Sequence, residues 1–193
     1  MTHSTGRGSA IIAASLPRRR YPMNDSPILP AHAFLDRMGI RYERRSFPPS
    51  TQKGAAAVAH ALGYAEHQMV KTLIFETDRS EVCLIMLGGD QSALSSNLKK
   101  VLGSRDIHLA TPDKVVSVTG YVIGSIPPFH WQPAGFRTFL DASLLRETIL
   151  GVGTGQWGEE ILLAPLDLVR ASAGQVVNLT DRNSPIFPPP PTP

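Results

Sequence analysis

The sequence predicts an α+β domain, on three observations. Apolar residues recur at helical spacing in some stretches and run consecutively or alternate in others. The strand-like stretches outnumber the helical ones, and the two kinds do not alternate strictly, which argues against a doubly wound sheet. The chain has 193 residues, 42% of them hydrophobic, enough to bury a core in one domain carrying tails.

The elements follow in chain order. A first helix is expected over 31–38, with Phe34, Leu35 and Met38 on one side and Gly39 closing it. Residues 42–47 read as extended and stop at Pro48-Pro49; an alanine-rich helix follows over 55–62 and ends at Gly63. Val70–Phe75 and Val82–Leu87 are the two best strands. The polar turn Thr77-Asp78-Arg79-Ser80 between them makes a hairpin. A helix is expected over 92–102, where Leu94, Leu98, Val101 and Leu102 share a side, and Thr111-Pro112 reads as a helix start with a capping hydroxyl. Residues 121–123, 137–140, 148–150, 160–163 and 176–179 read as short strands, with a short helix over 165–171.

The formal charge is +3, but from Ala31 to Thr180 the 5 Lys and 9 Arg are balanced by 7 Asp and 7 Glu. All the net charge therefore lies at the ends, and it does not identify a nucleic-acid-binding body. Ten of the 17 prolines also lie in residues 1–30 and 181–193. Three segments are expected: a disordered extension over 1–29, a domain over 30–181 and a proline-rich disordered tail over 182–193. The order of the apolar and basic stretches near the start is wrong for a secretory signal. The longest apolar run, Val82–Leu87, is far too short to span a membrane.

A single cysteine, Cys83, excludes an internal disulfide framework and fits a cytoplasmic setting; mid-strand it reads as a small hydrophobe. The six histidines are scattered, and no phosphate loop, Gly-x-Ser-x-Gly elbow or His-Glu-x-x-His is present. Neither a metal nor another cofactor is expected.

Three features could carry chemistry. Lys71 sits in a strand without a clearly polar face, so its ammonium either reaches water or stands at the rim of an apolar pocket. The stretch Gly124-Ser125-Ile126-Pro127-Pro128 is either a plain turn or a stiff loop whose free amides could face a carbonyl or an oxyanion. Asp141 either caps a helix beginning at Ala142 or orients a substrate amine or hydroxyl. Lys99, Lys100 and Arg105 form a basic cluster at a helix end, where dipole complementarity and tRNA backbone contact are both open.

Taken in order, Val70-Lys71-Thr72-Leu73, Gly88-Gly89-Asp90, the Gly-x-x-x-Pro loop 124–128, Leu140-Asp141-Ala142-Ser143-Leu144 and Leu163-Ala164-Pro165-Leu166-Asp167-Leu168 resemble the YbaK family. These are aminoacyl-tRNA deacylases and include the editing domain of bacterial prolyl-tRNA synthetases. The resemblance covers about Pro30 to Asp181. It implies a compact α+β domain with a curved, partly closed, mixed and mainly antiparallel sheet flanked by helices. It further implies hydrolysis of the ester between a wrong, small amino acid and the 3′-terminal adenosine of a tRNA, foremost tRNA-Pro, with a synthetase as a possible partner. Lys71 and Gly124 would be catalytic, and Ser125, Ile126, Pro127, Pro128 and Asp141 would bind substrate. Ile126-Pro127 and His130 depart from the family pattern: Pro127 removes an amide donor, and His130 stands where glycine is common. The stiffened loop is expected to sort amino acids by steric exclusion. A binding module without catalysis, on the same fold, is the alternative, and an adaptor working through the proline tail is a second.

Overall fold

In a computed structural model, residues 27–188 are described; the expectations for 1–26 and 189–193 lie outside them. The chain runs α1 (Pro30–Met38), β1 (Tyr42–Ser46), α2 (Ala55–Leu62), β2 (Val70–Thr77), β3 (Val82–Gly88), α3 (Ser95–Leu102), β4 (Ile107–Leu109), α4 (Pro112–Thr119), β5 (Arg137–Asp141), β6 (Leu150–Gly153), β7 (Glu159–Leu163), α5 (Pro165–Ser172) and β8 (Gln175–Val177). Single 3-10 turns precede β2 and follow β5.

The α+β class holds, with the sheet arrangement corrected. Among the described residues the strands form not one partly closed sheet but two, neither of them closed, ordered β1-β7-β6 and β4-β2-β3-β5-β8. The first is antiparallel throughout; in the second, β4-β2-β3 is antiparallel and β3-β5-β8 parallel. A bridge between Met69 and Gly151 touches one sheet to the other.

The core follows from strand alternation. On central β3, Leu84 and Met86 face one way, into a core shared with α1, α5 and the inward side of β6 and β7. Cys83, Ile85 and Leu87 face the other way, against Leu98, Val101 and Leu102 of α3. A strand covered on both sides reads as a continuous apolar run, which is why Val82–Leu87 stood out. Burial pushes the Cys83 thiol up to about 11, so it packs as a hydrophobe. A third cluster seats Val58 and Ala59 of α2 on Phe47, Met69 and Leu162.

Several boundaries differ from expectation. Residues 121–123 form turns, not a strand: Thr119 Oγ1 accepts the Tyr121 N–H at 3.0 Å, and Val122 and Ile123 are exposed without a strand partner. The strand expected over 148–150 begins at Leu150 and runs through two glycines. α3 starts at Ser95, three residues late, and β8 ends at Val177. The short β4, unforeseen, pairs with the far half of β2. The Thr111 cap is in place, its Oγ1 accepting the Lys114 N–H at 3.3 Å. Past β8, Asn178 N–H donates to Ile186 C=O at 2.7 Å, and Ile186 packs against the α3 side of the core.

Candidate active site

A cavity of about 350 Å³ opens between the start of α2, the first half of β2, the loop before Pro127 and the β6–β7 hairpin. Lys71, Gly124 and Ile126 line it. Ser125, Pro127 and Pro128 are buried behind its wall, and Asp141 is not part of the lining.

The loop is held by its carbonyls. Gly155 N–H donates to Ser125 C=O at 2.8 Å, Trp131 Nε1 to Pro127 C=O at 2.6 Å, and Gln132 Nε2 to Pro128 C=O at 2.8 Å. Gly153 lets the loop lie on β6, since a Cβ there would come within 2.8 Å of the Ser125 carbonyl. Gly124 has φ +98°, a conformation that any side chain disfavours. Ser125 N–H closes a turn onto Val122 C=O, but the N–H groups of Gly124 and Ile126 donate to no partner among the described residues. Pro127 and Pro128 have no N–H to offer. Two amide donors therefore remain, one on each side of Ser125.

His130 closes the loop with φ +74°, the left-handed region, and this accounts for the expectation of glycine at that position. Its Nε2 shares a 3.0 Å hydrogen bond with Tyr121 Oη. Burial holds the imidazole below its ordinary pKa, which favours its neutral form.

Lys71 and Asp141 are linked, though they do not touch. The Lys71 ammonium donates to the Gln91 backbone carbonyl. Ser143 Oγ lies 2.8 Å from Gln91 Oε1 and also hydrogen-bonds Asp141 Oδ1. Asp141 further accepts from Ser143 N–H at 3.0 Å, Leu179 N–H at 2.6 Å and Thr180 Oγ1 at 3.1 Å. A buried carboxylate with this set of donors fixes the turn after β5 and the segment after β8, and through Ser143 it fixes Gln91.

Four wall residues were not foreseen. Lys53 and Trp157 stand over Gly124: a Cβ there would be 3.8 Å from Lys53 Cδ and 3.9 Å from Trp157 Cζ3. Trp157 Nε1 donates to Pro49 C=O at 3.1 Å. Thr72 and Glu160 form polar ground in a wall that otherwise includes Val58, Met69, Val70 and Ile126. Burial pushes the Glu160 carboxyl up to about 8. The signal for Glu160 was present, because two consecutive glutamates in the strand Glu-Glu-Ile-Leu-Leu must point to opposite faces. Among the described residues no group of three or more His, Cys, Asp or Glu could hold a metal, and no helix is long and apolar enough to cross a membrane.

The family model of the aminoacyl-tRNA editing domain matches residues 50–171, well over half of the chain. The chain belongs to this family. Its editing domain is 30% identical over 126 residues to the multifunctional Ser/Thr-tRNA deacylase ProXp-y of Escherichia coli K12, covering 63% of this chain and 75% of that one. It is 37% identical over 86 residues to a proline–tRNA ligase of Halalkalibacterium halodurans, covering 45% of this chain but only 15% of the ligase. The fold superposes with a TM-score of 0.69 and 25% identity on a crystal structure described as a proposed trans-editing enzyme for prolyl tRNA synthetase, covering 77% of this chain and 93% of that one.

Proposed function

We propose that this editing domain is an aminoacyl-tRNA deacylase acting in trans. It cleaves the ester between a small amino acid and the 3′-terminal adenosine of a non-cognate tRNA, tRNA-Pro foremost. The cytoplasm is its setting, and a synthetase that releases the mischarged tRNA is its natural neighbour. The observation that carries this reading is one cavity lined by Lys71, Gly124 and Ile126, the last two with backbone N–H groups that donate to no partner among the described residues.

An aminoacyl ester is already activated, so orientation and charge stabilisation suffice. The ester carbonyl lies at the two amides. A water, oriented by the adjacent ribose hydroxyl, attacks the carbonyl carbon, its proton passing on to the departing ribose oxygen, and the oxyanion that forms is held by those N–H groups. Collapse expels the ribose oxygen, which takes up a proton, and free amino acid and tRNA leave. Lys71 gives one of its three N–H bonds to Gln91, and the other two are available to the terminal phosphate or the carbonyl. Asp141 is a positioning residue, shaping the pocket through Ser143 and Gln91.

The test is a panel of mischarged tRNAs offered to the purified protein, wild type and Lys71→Ala, scored for deacylation and for tRNA binding. The variant is expected to lose about 100-fold or more in turnover while tRNA binding persists. Unchanged turnover removes Lys71 from the mechanism, and no turnover of any ester by the wild type leaves a binding module.

A further inference from the structure

A peptide group is planar, so whatever holds a carbonyl also aims the N–H of the next residue. Gly155 N–H, by holding Ser125 C=O, aims the Ile126 amide. The Gly124 amide shares its plane with Ile123 C=O, which accepts from no partner among the described residues. Its direction is therefore left to the way the chain leaves Tyr121. Tyr121 bears on both amides. Its N–H is tied to Thr119 at the end of α4, and its ring fills the space beside Gly155, where a Cβ would collide with it. Its Oη meets His130 Nε2 at the other end of the segment, the two rings lying edge to face with 5.7 Å between centroids.

The left-handed turn at His130 sends the chain from Phe129, wholly buried in the core, back towards the loop, where Trp131 and Gln132 reach the Pro127 and Pro128 carbonyls. Glycine makes such a turn freely, and a residue with a Cβ makes it at a cost in free energy. The turn therefore does not account for an imidazole. Nor do its other ring contacts, with Phe34 at 6.2 Å and Phe129 at 6.4 Å between centroids, since neither asks for a nitrogen. The hydrogen bond to Tyr121 does. We infer that Tyr121 and His130 form a clasp that fixes the loop before substrate arrives, with the Gly124 and Ile126 N–H groups already aimed at the place where the oxyanion forms. Neither residue lines the cavity, so both are positioning residues. The inference rests on the deacylase reading and adds what holds its carbonyl-binding groups in place.

The chemistry needs such a device. Donors fixed in advance stabilise developing charge without reorganising at the moment of reaction, and that advantage is lost when they must first be gathered. Pro127 and Pro128 stiffen one half of the loop but offer no N–H. The half that carries the amides holds Gly124 at φ +98° and the exposed Val122 and Ile123, the part of the segment with the most freedom to lose. Linking Tyr121 to His130 closes that half into a ring of fixed size.

The test is a double-mutant cycle of Tyr121→Phe and His130→Gly, read as kcat, KM and melting temperature on the mischarged tRNA that wild type hydrolyses fastest. Each single variant is expected to lower kcat by about tenfold. KM should stay within about twofold, because the clasp acts on the transition state and not on tRNA binding. The double variant should be no slower than the slower single one, since a clasp opens only once. His130→Gly also relieves the strained turn, so its melting temperature should hold or rise while turnover falls. Full kcat in both single variants, multiplied losses in the double one, or losses that track melting temperature in both would overturn the inference. Amide hydrogen exchange reads the clasp without turnover. Tyr121→Phe should speed exchange by about tenfold at Ser125 and Gly155, whose N–H groups are bonded within this region, and leave the middle of β3 unchanged. Faster exchange there, with no hydrolysis of any ester by wild type, sinks the deacylase reading and keeps the clasp. Hydrolysis by wild type, with kcat and exchange both unchanged in Tyr121→Phe, does the reverse.

Discussion

Asp141 and Glu160 are both buried carboxyl groups at strand ends, and the fold treats them oppositely. Asp141 accepts from two backbone N–H groups and two hydroxyls, all supplied by the turn after β5 and the segment after β8. Among the described residues Glu160 receives no hydrogen bond, and it lines a cavity. A carboxylate surrounded by donors is part of the architecture, because removing it leaves several buried groups unpaired. A carboxyl left bare at a cavity wall adds nothing to stability and is available to a ligand.

The comparison can be broken by substitution. The largest effect is expected for Asp141→Ala, which strands the donors of Ser143, Leu179 and Thr180. Urea unfolding should show a loss of about 4 kcal/mol. A loss below about 1 kcal/mol would mean that the corner is not structural.

Glu160 should behave in the contrary sense. Its pKa is raised from 4.5 to about 8, so the folded protein retains a proton that the unfolded chain has released between those values. The folded state therefore weakens as pH rises from about 4.5 to 8, and the penalty is complete above 8. Glu160→Gln does not titrate. It should match wild type near pH 4 and exceed it at pH 9, read as a widening gap in melting temperature. A constant gap would show that the carboxyl is paired after all.

Ser143→Ala gives the smallest effect and tests the link between the two halves of the site. It takes one hydroxyl from Asp141 and loosens Gln91, so stability should fall by about 1 kcal/mol. Deacylation should fall by about three- to tenfold through the misplaced Lys71 ammonium. Loss of stability with full activity would uncouple Asp141 from Lys71.

What the sequence disclosed follows physical range. The β2–β3 hairpin, the Thr111 cap and the glycines ending α1, α2 and α3 are local signals, and they were legible as such. Residues 121–123 misled because Val122 and Ile123 have strand-forming side chains, whereas the backbone is claimed by Thr119 and no neighbouring strand is present. β4 was hidden because three residues with exposed His108 and Leu109 show no buried face. The division into two sheets depends on pairing between strands far apart in the chain, which no local pattern states. Of the residues that line the cavity, Lys71, Gly124 and Ile126 stood in an ordered set of short motifs. Alternation alone could put Glu159 and Glu160 on opposite faces, but it could not tell which face carried Arg44 and which an empty hollow.

The meeting of Met69 with Gly151 has a dynamic consequence. A Cβ at 151 would come within 2.6 Å of Met69 Sδ, so the seam between the sheets closes only around a bare backbone. Met69 is two residues from Lys71 and lies in the cavity wall itself. Parting the seam would release that wall while both ladders stayed intact, giving the domain a breathing motion well short of unfolding. Amide hydrogen exchange should register it as faster exchange at 69 and 151 than along the middle of β3.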